Sequence, residues 1–314
     1  MRRSFHVLAL AAFAALATAV APARAEVIYG ITGTTAGNSL VFFDSSSPGT
    51  VTTVGALSGV LPGHSVRAID FRPATLGLYA MSNNAAGDFQ LYTVDTATAV
   101  LTPVGAPVPV GYSGSRISMD FNPVVDRLRV VTGALTNNNF RFNPDTGALV
   151  ATDGNFAYDA GDPQAGNSIF MAGVAYTNNF AGATSTTLYG WDYNNDSLVT
   201  VGSIGGSPIS PNTGTTFTVF TPPSFLTFAA SIGFDISGQS GTAYVSHDDP
   251  GTGTTYSLYT IDLSTGTQTL VGAFPQPILD ISVQAIPEPT SFVLAGLGIG
   301  GFVWKRRRGS KNAV

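Results

Sequence analysis

The stretch Ala68-Ile69-Asp70-Phe71-Arg72-Pro73 decides the fold, together with Gly77-Leu78-Tyr79-Ala80-Met81, Leu91-Tyr92-Thr93-Val94-Asp95 and Val104-Gly105 behind it. These are short runs rich in β-branched and aromatic residues, bounded by Gly, Pro, Asn and Asp, which is strand-and-turn chemistry. The phrase recurs in degraded form along the chain. Its third run ends on Asp44, Asp95, Asn143, Asp192 and Asp262, at intervals of 51, 48, 49 and 70 residues. A glycine follows each marker by 10 or 11 residues, at Gly55, Gly105, Gly154, Gly202 and Gly272. The second run carries Tyr29, Tyr79, Arg129, Tyr176 and Tyr244. A period of roughly 50 residues with four short strands per copy predicts propeller blades.

The turns agree. Asn143-Pro144-Asp145-Thr146-Gly147 and Asp262-Leu263-Ser264-Thr265-Gly266 offer a preset φ at Pro and a positive φ at Gly. No stretch between 26 and 286 has a 3.6-residue apolar period. The first copy lacks its opening run, and Ile278-Leu279-Asp280-Ile281-Ser282-Val283 supplies one at the other end. The expectation is therefore an all-β, five-bladed propeller with four-stranded blades, closed by a C-terminal strand that completes the first blade. Closure removes the free sheet edges that an open stack of meanders, the competing arrangement, would leave. Residues 203–231, with Pro208, Pro211, Pro222-Pro223 and four Phe, lengthen the last interval and read as an inter-blade insertion packed on the ring.

The chain ends read differently. Arg2-Arg3, the apolar run Phe5–Val20 and Ala23-Arg24-Ala25 form a signal peptide over 1–25, with signal peptidase cleaving between Ala25 and Glu26. Arg2-Arg3 alone lacks the flanks of a twin-arginine signal. The propeller domain is expected over 26–285 and a tail over 286–314. In the tail, the run Phe292–Trp304 makes a helix of about 20 Å, short of the roughly 30 Å hydrocarbon core, followed by Lys305-Arg306-Arg307-Arg308. It is expected to cross the membrane with local thinning, as the chain's one membrane contact.

With those ends set aside, the body keeps six Arg (67, 72, 116, 127, 129, 141), no Lys, 17 Asp and Glu26, a net charge of −12. Such a field repels nucleic acid and anionic membrane surfaces. There is no cysteine, so disulfides, thiol catalysis and cysteine metal sites are excluded and the ring must hold by packing.

Pro287-Glu288-Pro289, the short Gly-rich apolar segment and the terminal Arg cluster resemble the PEP-CTERM sorting signal. The resemblance implies recognition by an exosortase-type membrane enzyme, cleavage near Pro287-Glu288-Pro289, and release or transfer to the surface of a Gram-negative bacterium that makes extracellular polysaccharide. The plain alternative is a C-terminal anchor. Ile69-Asp70-Phe71-Arg72-Pro73-Ala74-Thr75, Leu78-Tyr79, Ala175-Tyr176-Thr177-Asn178-Asn179-Phe180 and Thr187-Leu188-Tyr189-Gly190 resemble a bacterial secreted domain family of unknown function, over nearly all of 27–283. That resemblance supplies no catalytic residue.

Chemistry is sparse. His64 and His247 have no metal-ligand spacing, and His247-Asp248-Asp249 reads as a polar turn. A Gly-x-Ser-x-Gly elbow is absent, and a body without Lys has no phosphate loop. The notable set is Asp70, Asp120, Asp235 and Asp280, which the repeat places on the innermost strands around one channel mouth, with Asn167 near the equivalent position of the fourth blade. They are candidate ligands for Ca²⁺, or acid and base toward a sugar, with Arg67 and Arg116 as pairing partners; the plainer role is accepting backbone N–H bonds. Glycoside hydrolases share five-bladed architecture but generally use a Glu among their acids, and the body's one Glu is at its start. The sequence thus leads to an exported protein that binds an extracellular polysaccharide or a surface protein. A hydrolase or lyase using the channel aspartates and a passive matrix component are the alternatives.

Overall fold

The computed structural model describes residues 25–286 apart from 35–36, 134–137, 222–231 and 249–255. The signal-peptide run, the Pro287-Glu288-Pro289 motif and the apolar run Phe292–Trp304 lie outside the described residues. No helix among the described residues is long and apolar enough to cross a membrane.

Twenty-one strands account for the architecture. β1 (Val27–Thr34), β2 (Gly37–Asp44) and β3 (Thr52–Ala56) belong to the first blade. The second blade is β4 (Ser65–Arg72), β5 (Gly77–Asn83), β6 (Asp88–Val94) and β7 (Leu101–Pro109). The third is β8 (Ile117–Asn122), β9 (Arg127–Thr132), β10 (Asn139–Phe142) and β11 (Leu149–Thr152). The fourth comprises β12 (Ala157–Tyr158), β13 (Met171–Tyr176), β14 (Leu188–Asp192), β15 (Ser197–Val201) and β16 (Thr215–Phe220). The fifth is β17 (Gly233–Ile236), β18 (Ala243–Asp248), β19 (Tyr256–Ile261) and β20 (Gln268–Phe274), and β21 (Ile278–Val283) returns to the first blade. This is a five-bladed β-propeller.

The predicted closure is present. β21 pairs antiparallel with β1, setting Tyr29 opposite Ser282 and Gly30 opposite Ile281. Glu26 fastens the same seam: its buried carboxylate accepts hydrogen bonds from Ser237, Ser240 (3.2 Å) and Tyr244 (2.9 Å) of the fifth blade. Its own amide donates to Ser45 Oγ of the first blade at 3.0 Å. The turn chemistry also holds. Asp262 accepts from the amides of Ser264 and Thr265 at 2.8 and 3.1 Å, and Gly266 closes the turn at φ +66°. Inner strands are buried almost throughout, as in β8, whereas the outer β3 and β11 are half exposed, the gradient expected of radial sheets.

Two expectations need correction, both in the fourth blade. It has five strands: β12 adds in parallel to the outer edge of β16, with Ala157 beside Thr215. Its frame is also displaced, because Asp192 ends the second strand rather than the third and Tyr176 lies on the innermost strand rather than the second. The segment read as an insertion accordingly contains a regular outer strand, β16, which pairs with β15.

Hydrophobic clusters fill the blade interfaces. Between the second and third blades, Tyr79, Met81, Phe89 and Leu91 pack against Met119, Phe121, Phe140 and Phe142. Between the third and fourth, Val131 is the third blade's member of a cluster otherwise drawn from 156–201.

Candidate functional site

Strand register explains where the aspartates fall. Asp70 pairs with Tyr79, Asp120 with Arg129 and Asp235 with Tyr244, so the three occupy one repeat position. In the first blade that position is Ser282, opposite Tyr29, and in the fourth it is Ala175, opposite Tyr189. Asp280 stands two residues earlier on its strand, so it belongs to a neighbouring level. Asn167, expected near the equivalent position, lies before β13 and donates to Gln164 Oε1 at 2.6 Å.

The carboxylates are inside the ring rather than at its mouth: Asp70, Asp120, Asp235 and Asp280 are all at most 5% exposed. Three of them bridge to the inner strand of the next blade. Asp235 accepts from Val283 N at 2.6 Å, Asp280 from Ile69 N at 2.8 Å and Asp70 from Phe121 N at 2.8 Å. Hydroxyls do the same elsewhere, with Ser282 Oγ accepting from Phe71 N and Ser118 Oγ from Val174 N. The Ser282 hydroxyl also faces Asp70 Oδ1 at 2.8 Å and Asp235 Oδ2 at 3.2 Å, yet it has one proton to give to the two acids.

Asp120 differs. The Tyr176 amide is directed at its carboxylate and favours the anion, but the contact is weaker than the 2.6–2.8 Å bonds of the other three. One oxygen each from Asp70, Asp120 and Asp235 come together within 4.8 Å of one another. Burial, reinforced by the neighbouring carboxylates, pushes Asp70 and Asp120 well above the ordinary range and Asp235 up to about 6. Arg67 and Arg116 do not compensate: Arg67 Nε donates to Asn83 Oδ1 at 2.9 Å, and Arg116 sits 5.6 Å over the Phe170 ring. Three oxygens within twice a Ca–O distance, in a buried centre without a cation side chain among the described residues, suit either a bound hard cation or shared protons.

The histidines stand apart from this centre. His64 contacts Ser82 Oγ at 3.0 Å and Asn84 Nδ2 at 3.2 Å. His247 is buried within β18, stacked on Tyr259 at 4.5 Å, rather than in the expected polar turn.

A second site was not foreseen. A cleft of about 460 Å³ opens between the third and fourth blades, where the β13–β14 and β15–β16 loops rise beside the β8–β9 turn. Arg127, Arg129 and Arg141 line it with Asn122, Ser185 and Asn212. Arg129 is 2% exposed and its guanidinium is fixed on every side. It donates to Tyr176 Oη (2.7 Å), Asn139 Oδ1, Asp153 Oδ2 (3.1 Å) and Asn212 Oδ1 (2.7 Å). Arg141 holds the same Asp153 bidentately at 2.7 and 2.9 Å. The available signal in the sequence was Arg129 itself, an arginine where the other repeats carry tyrosine.

Comparison with known proteins places the chain. Residues 39–282 match the family model described as Domain of unknown function (DUF4394), and residues 285–308 match the PEP-CTERM protein-sorting motif. No curated protein matches. Among solved structures, a protein of unknown function from Bacteroides caccae is 11% identical, with a TM-score of 0.48 over 84% of this chain and 100% of that one. An engineered GH43 glycoside hydrolase with endo-xylanase and exo-arabinofuranosidase activity is 13% identical, with a TM-score of 0.51 over 81% of this chain and 53% of that one. Glutaminyl cyclase from Myxococcus xanthus is 12% identical, with a TM-score of 0.40 over 74% of this chain and 87% of that one. These likenesses concern the fold. The chain belongs to the DUF4394 family, and its PEP-CTERM motif marks it for export through a membrane-anchored intermediate processed by an exosortase.

Proposed function

We propose that this DUF4394 protein is a binding propeller, delivered to the cell surface or matrix, whose cleft between the third and fourth blades takes a segment of extracellular polysaccharide. The cleft carries this reading. Its volume of about 460 Å³ lies in the range of ligand sites, and its lining of Arg, Asn, Ser and Thr with Val124, Val125 and Val150 suits a ligand with hydroxyl edges and apolar faces. Among the described residues no Asp or Glu lines it. The aspartates a hydrolase would use are buried along the axis, which favours binding over turnover. A glycan array probed with the full chain tests the proposal, with Asn212→Ala as the cleft variant. Specific glycan signals that Asn212→Ala reduces are expected. Signals at background, or signals indifferent to the variant, would refute it, and capture of a surface protein instead would move the site to a protein partner.

We infer a separate, structural role for the axis. Asp70, Asp120 and Asp235 hold a hard cation such as Ca²⁺ while Asp280 joins the first and second blades. The fully buried Asp120 carboxylate, beside those of Asp70 and Asp235, supports the cation, since charge in that position needs neutralising. Saturation about 100-fold above the dissociation constant adds roughly 2.7 kcal/mol. Melting with Ca²⁺ against EDTA is expected to differ by several degrees, and coincident curves would leave shared protons as the neutralising device.

A further inference from the structure

We propose that the cleft selects an acidic saccharide, its anionic group seated between Arg127 and Arg141; this deepens the binding reading and rests on it. The body has six arginines against 18 acidic residues, and three of the six converge on this one cleft. The rest of the surface repels anions, so local charge of this sign is a departure from the whole.

The three arginines divide the work. Arg129 is the fixed floor, since its four partners hold the guanidinium in one orientation and engage four of its five N–H donors. Its positive charge still reaches the cleft through a poorly solvated wall. Asp153 lies behind the lining, 5% exposed, and neutralises part of this charge. Arg141 uses Nε and Nη2 on Asp153. Arg127 donates from Nη1 to the Asp126 carbonyl at 2.8 Å, a neutral main-chain acceptor, and its charge is felt by Asp145 at longer range. Nearby, Asp126 and Asp145 are engaged by Arg72 at 2.8 and 2.6 Å, which turns both acids toward the second blade. Arg127 therefore keeps its Nε and Nη2 donors for the cavity and Arg141 the Nη1 donors that its Asp153 pair leaves over, which together match carboxylate or sulfate oxygens. Val125 and Val150, 55% and 48% exposed, give a sugar ring an apolar edge beside them.

The test is a titration of the full chain with three oligosaccharides of equal length, one neutral, one uronate-containing and one sulfated, at low and physiological salt. At least one acidic oligomer is expected to bind about tenfold tighter than the neutral one, the discrimination of one charge-assisted hydrogen bond, and to weaken as salt rises. Whichever acidic oligomer binds identifies the anion. Arg127→Gln is expected to erase the acidic preference, weakening the acidic oligomer about tenfold more than the neutral one, with the melting temperature unchanged. Arg127→Lys is expected to restore part of it. Equal binding of all three with no response to Arg127→Gln would overturn the anion assignment and leave the binding proposal standing. No binding of any oligomer would overturn both.

Discussion

The second and third blades meet differently from the third and fourth. At the first junction Tyr79 packs edge-on against Phe121, ring centroids 5.2 Å apart, and Tyr29 repeats the arrangement on Phe71 at 5.5 Å between the first and second blades. At the third-to-fourth junction the same two positions hold Arg129 and Tyr176, joined by a 2.7 Å hydrogen bond. One substitution in the repeat exchanges an oily contact for a charged network, and the cleft lies above that network. Those two register positions pack ring on ring when both are aromatic, and at the second-to-third junction the ion pairs of Arg72 with Asp126 and Asp145 lie beside that contact. The contact becomes polar when one position holds a cation that needs Asp153, Asn139 and Asn212 to satisfy it.

The largest effects separate the two junctions by their response to salt. Phe121 is fully buried, and Phe121→Ala is expected to cost about 3–5 kcal/mol from lost transfer and a cavity. Asp153→Asn leaves Arg129 and Arg141 side by side without their shared acid, also a loss of about 3–5 kcal/mol. Urea unfolding in low and high salt distinguishes them. High salt is expected to recover part of the Asp153→Asn loss through Arg141, which is partly exposed, and none of the Phe121→Ala loss. An equal salt response would mean that the polar junction is held by packing after all.

The axis, where all blades meet, is expected to respond to pH. Unfolded aspartate titrates near 3.9, whereas folded Asp235 is held up to about 6 and Asp70, Asp120 and Asp280 are raised by burial. Between those limits the folded protein keeps protons that the unfolded chain has lost. The stabilisation is complete below the unfolded value; for Asp235 it amounts to roughly 3 kcal/mol and disappears as pH rises through 6, and for Asp70, Asp120 and Asp280 it is lost as pH passes their own raised values. The exposed turn acids Asp95, Asp145 and Asp262 are shifted downward, so they titrate below this window. In EDTA, melting temperature is expected to fall from pH 5 to 7.5. Asp120→Asn is expected to flatten that slope and to stabilise the protein by about 1–3 kcal/mol at pH 7.5 by removing an acid whose ionisation is opposed by burial and by Asp70 and Asp235. Stability that rises with pH over this range would refute the assignment, and Ca²⁺ is expected to help the wild type more than the variant.

Four of the blades and the closing strand were legible because their turns recur in phase. The fourth blade misled for a local reason. Tyr189-Gly190-Trp191-Asp192 has the spacing of Leu91-Tyr92-Thr93-Val94-Asp95, and Asp192 takes the amide two residues on, Asn194, at 3.0 Å just as Asp95 takes Ala97 at 2.8 Å. The turn is the same, but it follows a second strand. Asp192 additionally accepts from Phe170 N and Tyr158 Oη, tying in the extra strand, and no local pattern announces those partners. The aspartate cluster was visible as a repeated residue, whereas its depth depends on ring closure. The cleft was hidden because its walls come from loops of two blades, and its one trace in the repeat was Arg129, an exception to a tyrosine rule.

The smallest prediction isolates the hydroxyl that distinguishes the junctions. Tyr176 Oη accepts from buried Arg129 Nε at 2.7 Å, whereas Tyr79 Oη receives a longer 3.3 Å bond from Arg72, whose guanidinium already has Asp126 and Asp145. Tyr176→Phe leaves a buried charged donor without its acceptor and is expected to cost about 1–2 kcal/mol. Tyr79→Phe removes a redundant bond over an intact aromatic contact and is expected to cost less than about 0.5 kcal/mol. Paired denaturation curves measure the difference. If the two losses are equal, the arginine at the third-to-fourth junction is held by its other partners and the Tyr176 hydroxyl is incidental. If they differ as expected, the exchange of tyrosine for Arg129 required a matching hydroxyl from the next blade, and the two changes form one structural unit.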